Sequence, residues 1–134
     1  MPTARDNLAA GVVNGILYTA GGCCVNFRML KTFEAYDPST DTWATKASMP
    51  TARDELAASG LDGKLYAVGG HTRGVSNTVE AYNPATDTWT AKASMPTKRG
   101  ELATGVAGRV IYAVGGWNSY LRGVLHTNET FNPR

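Results

Sequence analysis

The chain has 134 residues, of which 43% are hydrophobic and 18% charged, and its formal net charge is +2. That balance fits one ordinary folded domain and argues against a disordered or collagen-like chain. The scattered Lys and Arg form no stripe for nucleic acid, and no apolar run approaches the ~20 residues of a membrane helix.

The opening Met1-Pro2-Thr3-Ala4-Arg5-Asp6 reads as folded sequence, not as a secretory leader, and nothing in the chain addresses a compartment. The same stretch opens a repeat. Met49-Pro50-Thr51-Ala52-Arg53-Asp54 restates it 48 residues on, and Met95-Pro96-Thr97-Lys98-Arg99-Gly100 does so more loosely after another 46. The spacing divides a single domain into units 1–48, 49–94 and 95–134. A period in the high forties is too long for helix-pair repeats and suits a four-stranded β unit.

Within each unit the elements follow one order. Strand a is expected over residues 56–60 of the second unit. The dipeptides Asn14-Gly15 and Asp62-Gly63 mark hairpin turns, because both readily adopt the positive φ of a type I′ turn, and Gly108-Arg109 holds the third place. Strand b is apolar and ends on a glycine pair three times: Leu17-Tyr18-Thr19-Ala20-Gly21-Gly22, Leu65-Tyr66-Ala67-Val68-Gly69-Gly70 and Ile111-Tyr112-Ala113-Val114-Gly115-Gly116. A loop of changing content follows, over residues 23–30, 71–77 and 117–126. Strand c is expected over 32–36, 78–82 and 128–131, and strand d over 43–47 and 89–93, opened by Trp43 and Trp89. The third unit ends at Phe131-Asn132-Pro133-Arg134 with no Asp-Thr-Trp and no strand d.

Cys23 and Cys24 are adjacent, a spacing that strains a mutual disulfide, and no CxxC accompanies them. They read as plain loop thiols, and no metal and no cofactor are expected.

The glycine pair after strand b, the Tyr before the next turn and the Trp opening strand d together resemble the kelch repeat, over essentially the whole chain. The resemblance implies an all-β fold of β-propeller blades, about three per chain, with strand a lining a central channel and strand d outermost. Tyr36, Trp43, Tyr82 and Trp89 then fill the spaces between blades. Three blades cannot close a ring and would leave two apolar faces bare. The expected partner is therefore a second copy of the chain, giving a six-bladed propeller with two-fold symmetry; the alternative is that the chain is a fragment of a larger kelch protein.

An up-and-down meander places the a–b and c–d turns on one face and the b–c and d–a loops on the other. Variable loops on a rigid frame usually carry function, so the second face is the candidate binding face. Arg5, Arg53 and Arg99 fall in its d–a loops, and Arg28, His71, Arg73, Trp117, Asn118, Tyr120 and Arg122 in its b–c loops. Arginines with aromatics suit carboxylate, phosphate or sugar recognition. In kelch adaptor proteins arginines at such positions bind acidic segments, which implies a non-enzymatic binding or scaffold module for a protein segment or another anionic ligand. The plainer reading of Arg5, Arg53 and Arg99 is blade-to-blade pairing with Asp6, Asp54, Glu55 and Glu101. Some kelch propellers are enzymes, among them copper oxidases and a sialic acid mutarotase. A carbohydrate-related enzyme or lectin using Arg, His and Glu near the channel mouth is the second expectation, with no catalytic residue assigned. A copper centre is not expected, because His71, His126 and the cysteines sit in three different loops.

Overall fold

The computed structural model describes residues 1–24, 26 and 28–132, the side chain of Cys24 excepted. The Cys24 thiol and part of the first b–c loop therefore lie outside the described residues. No helix long and apolar enough to cross a membrane is present among them.

The chain is all-β. β1 (Ala9–Val13), β2 (Ile16–Ala20), β5 (Phe33–Asp37) and β6 (Thr42–Thr45) form the first antiparallel sheet, in that spatial order. β7 (Ala57–Leu61), β8 (Lys64–Val68), β9 (Val79–Asn83) and β10 (Thr88–Lys92) repeat it, and β11 (Ala103–Ala107), β12 (Val110–Val114) and β15 (Asn128–Phe131) form a three-stranded third sheet. Two short hairpins, β3 (Cys23–Cys24) with β4 (Arg28–Met29) and β13 (Trp117–Asn118) with β14 (Gly123–Val124), occupy b–c loops. β1 lies against β7 and β7 against β11, so strand a is the inner strand where the sheets converge.

Local chemistry sets the turns. Asn14 and Gly15 have φ 51° and 80°, and Asp62 and Gly63 have 49° and 72°, the two successive positive values of a type I′ turn. In the third hairpin Gly108 alone is positive, at 59°, the pattern of a type II′ turn, which asks for glycine at its first central position only. Each glycine pair turns the chain out of strand b with both φ positive, 63° and 97° at Gly69 and Gly70. A Cβ on Gly70 would fall 2.5 Å from the Asp54 carbonyl oxygen, so the site needs both the conformation and the missing side chain.

Between the first two sheets Tyr18, Phe33, Met49, Leu65 and Tyr82 are buried, with Trp89 packed against them. The Phe33 ring stands edge-on to Tyr82 (centroids 4.6 Å apart) and to Trp89 (4.8 Å). Tyr66, Val68, Val79, Met95 and Ile111 fill the second seam, with Phe131 against them. Main-chain bonds stitch the same seams: Gly22 N donates to Arg53 O and Gly70 N to Arg99 O (both 2.9 Å), while Glu55 N donates to Asn7 O (2.8 Å) and Glu101 N to Glu55 O (2.9 Å).

The two outer faces carry the residues that are sealed at the seams. Val68 is 2% exposed in the second sheet, whereas Val114, its counterpart in the third, is 49% exposed. Tyr82 is buried, whereas Tyr36 is half-exposed and pairs with Trp43 (centroids 5.1 Å apart) on the outer side of the first sheet.

Candidate functional site

The d–a and b–c loops meet on one face because each unit locks them with a pair of main-chain bonds. Asp54 N donates to His71 O (3.2 Å) and His71 N to Asp54 O (2.8 Å); Asp6 with Cys23, and Gly100 with Trp117, repeat the arrangement. Above the second and third sheets these loops surround an open cleft of about 480 Å³, lined by Met29, Asp54, Glu55, His71, Thr72, Arg73, Gly74, Glu101 and Trp117. His71 stands against Trp117, with ring centroids 5.9 Å apart. Its Nδ1 lies 2.5 Å from Glu55 Oε2, closer than an ordinary N–H···O bond. Three carboxylates, Asp54, Glu55 and Glu101, line this cleft together with one guanidinium, that of Arg73.

The expectation that Arg5, Arg53 and Arg99 line a ligand surface needs correcting, because all three guanidinium groups are turned inward. Their side chains are 0% exposed, and each pairs with a strand-c glutamate of its own unit: Arg5 with Glu34 (2.9 Å), Arg53 with Glu80 (2.7 Å) and Arg99 with Glu129 (2.7 Å). Their other donors cap the carbonyl of the first glycine of each pair, Gly21 O at 2.6 Å, Gly69 O at 2.8 Å and Gly115 O at 2.9 Å. The arginines thus hold strand exits in place. Blade-to-blade pairing with Asp6, Asp54, Glu55 or Glu101 is corrected by the same geometry. Burial pushes the Glu34 carboxyl up, but hydrogen bonds from Thr3 and Arg5 and the Arg5 charge outweigh it, so the group is held below its usual range.

Asn118 is a second correction. It is 4% exposed; its Nδ2 donates to Lys98 O (2.6 Å) and its Oδ1 accepts from Tyr120 N (2.8 Å) and Leu121 N (3.0 Å). It builds the loop and leaves Tyr120 and Leu121 exposed at its tip. Arg73 is exposed at the cleft, Arg28 is exposed on β4, and Trp117 is half-buried. Cys23 is buried, and its thiol donates to Asp6 Oδ1 (2.7 Å). That bond, with burial and the Asp6 charge, pushes the thiol up to about 11.

A family model described as the kelch motif matches residues 4–50 and 52–96. The chain belongs to the kelch-repeat family. Among solved structures it resembles one titled "Structure of YjhT", with 25% identity and a TM-score of 0.78 over 88% of this chain and 36% of that chain. The present chain therefore spans little more than a third of that neighbour's length. A search of curated proteins found no match.

The structure brings His71, Arg73 and Trp117 to one cleft and sets Asp54 and Glu55 beside the imidazole, a meeting that the sequence reading did not anticipate. No local motif announces it. The signal was the repeat itself, since Asp54 and His71 occupy the places where Asp6 and Cys23 meet in the first unit.

Proposed function

We propose that the chain is a non-enzymatic kelch-type binding module whose ligand is a segment of another protein, seated on the cleft between the b–c and d–a loops. The observation that carries this reading is the open cleft itself, walled by Trp117 and His71 and lined by Arg73, with Tyr120, which is 69% exposed, beside the lining residue Gly74. Exposed aromatics on a rigid scaffold make anchors with little entropy to lose. Arg73 supplies a fork for an acidic side chain of the segment. With Arg5, Arg53 and Arg99 turned inward, the anionic preference rests on Arg73 and on the loop cations Arg28 and Arg122. Selection from a displayed peptide library, followed by titration of the winning peptide, tests this. Trp117→Ala and Arg73→Ala each weaken binding at least tenfold, while Ser39→Ala on the opposite face leaves it unchanged. Affinity untouched by both cleft substitutions overturns the reading.

A second reading is a lectin or carbohydrate-related enzyme. It is favoured by the close Glu55–His71 pair beside the Trp117 ring, which resembles an acid–base pair under a stacking platform. Binding of acidic sugars of the sialic acid type that disappears in Glu55→Gln would support it over the peptide module.

The same proposal includes ring closure. The outer faces bearing Leu17, Tyr36 and Trp43 on one side and Tyr112 and Val114 on the other correspond to the two halves of a buried seam. A second copy fits both faces and yields a six-bladed propeller. Light scattering on the purified chain tests this: twice the chain mass is expected, and a monodisperse monomer overturns it.

A further inference from the structure

We propose that Asp54, Glu55 and His71 hold a divalent cation, zinc by preference, at the floor of the cleft. This goes beyond the peptide-binding reading and does not rest on it.

The first ground is geometric. One ligand atom from each of the three residues lies within 4.8 Å of the other two. Bonds of about 2.0–2.2 Å to nitrogen and oxygen place ligands around one zinc at comparable mutual distances after a small side-chain adjustment. The set is one imidazole with two carboxylates, a borderline nitrogen–oxygen set that suits zinc, which binds such donors more tightly than manganese.

The second ground is what these atoms lack. Asp54 Oδ1 is sealed from solvent with no hydrogen-bond partner, and His71 Nδ1, equally sealed, meets the Glu55 carboxylate. Buried polar atoms are normally satisfied, so an unpaired carboxylate oxygen beside this imidazole–carboxylate pair is the place for a ligand. The His71 Nδ1–Glu55 Oε2 contact of 2.5 Å is shorter than the roughly 3.3 Å that two ligands of one zinc keep, so the two side chains would part slightly to admit the ion.

The third ground is that the surroundings are built for this imidazole. Asp54 and His71 are fixed to each other by their paired main-chain bonds, and Glu55 by its N–H bond to Asn7 O. The third unit has Gly100 where the others have Asp6 and Asp54. A Cβ at Gly100 would fall 2.5 Å from His71 Cε1 and Nδ1, so the ring occupies the space that the absent side chain leaves. The repeat itself does not require the set. The equivalent places hold Asp6, Asn7 and Cys23 in the first unit, where the thiol already satisfies Asp6, and Gly100, Glu101 and Trp117 in the third. Three protein ligands leave a coordination position open towards the cleft, the arrangement of a site that takes water or an incoming ligand.

Calorimetric titration of the metal-free chain with zinc chloride, in a Cys23→Ser/Cys24→Ser background and without peptide, tests the proposal. One zinc per chain is expected, with binding weakened at least tenfold by His71→Gln and by Asp54→Asn and unchanged by His126→Gln. In the unsubstituted chain, zinc should move the imidazole resonances of His71 and leave those of His126, a readout that does not depend on any variant folding. No zinc uptake overturns the site, as does uptake insensitive to His71→Gln and Asp54→Asn, or a His71 ring that does not respond. Because no peptide is present, failure here leaves the peptide module standing, and failure of peptide selection leaves the zinc site standing.

Discussion

Arg53 Nη2 stands 2.7 Å from Glu80 Oε2, and both side chains are shut away from water. A guanidinium this deeply buried is tolerable because both of its Nη atoms are engaged: Nη1 also donates to Gly69 O and Thr78 O, joining strand exit, strand c and d–a loop in one knot. Removing one partner leaves the other charge buried and alone. Arg53→Ala and Glu80→Ala should each cost about 3–5 kcal/mol in denaturant unfolding. Ion pairs at the surface behave differently. Arg109→Ala, which breaks the exposed contact with Asp62, should cost less than about 1 kcal/mol.

Glycines of two kinds should respond differently to alanine. Gly63 has φ 72° and open space around it, so Gly63→Ala should lose only the ~1–2 kcal/mol of a left-handed residue. Gly70→Ala adds a collision, with a Cβ 2.5 Å from Asp54 O and 2.8 Å from Leu56 Cβ, and should cost on the order of 3 kcal/mol or more. Thermal melts of the two variants beside the parent check the difference.

The pH dependence of stability should be bounded on both sides. Asp87 Oδ1 accepts from Ala47 N (3.0 Å) and from Tyr82 Oη (2.7 Å), tying the second sheet to the loop that leaves the first. These bonds hold the Asp87 carboxyl below its ordinary value, as Thr3 and Arg5 do for Glu34. A depressed folded value means stability that is present above the unfolded value of about 4 and lost as pH falls through the folded one. Burial, then the Asp87 bond, pushes the Tyr82 phenol up. Its contribution is full below the unfolded value of about 10 and is lost as pH rises towards the folded one. Melting temperature should be level near neutrality and fall at both extremes, and Asp87→Asn should flatten both slopes.

The Cys23 thiol, pushed up to about 11 by its bond to Asp6, should be nearly inert. Labelling by iodoacetamide at pH 8 in a Cys24→Ser background should run roughly 100-fold slower than for a free thiol, since thiolate is the reacting form. Asp6→Asn should accelerate it. Labelling at the rate of a free thiol would contradict the buried, hydrogen-bonded thiol.

Where a requirement is local, the sequence displays it. Glycine pairs and Asn-Gly or Asp-Gly turns announce positive φ by residue type, so strand order and turn positions were legible. Strand ends shifted by about one residue, as when 56–60 became Ala57–Leu61, because a strand ends where its partner's hydrogen bonds end and not where apolar residues stop. Arg53 was misread for a related reason. Asp54 and Glu55 adjoin it in the chain, yet its partner Glu80 is 27 residues away, on a strand that only the folded sheet brings alongside. The meeting of Asp54, Glu55 and His71 was hidden likewise, since it joins two loops across a whole hairpin.

The seams between sheets are stitched by backbone atoms, Glu55 N to Asn7 O and Glu101 N to Glu55 O, at residues of differing type. Each unit also carries both halves of the apolar packing that fills a seam. Genetic duplication of one unit beside itself would bring the main-chain bonds and the matching apolar faces together. Copy number could then change by whole units while the loops above diverge freely, which accords with the likeness of the Met-Pro-Thr-Ala-Arg-Asp openings of the first two units.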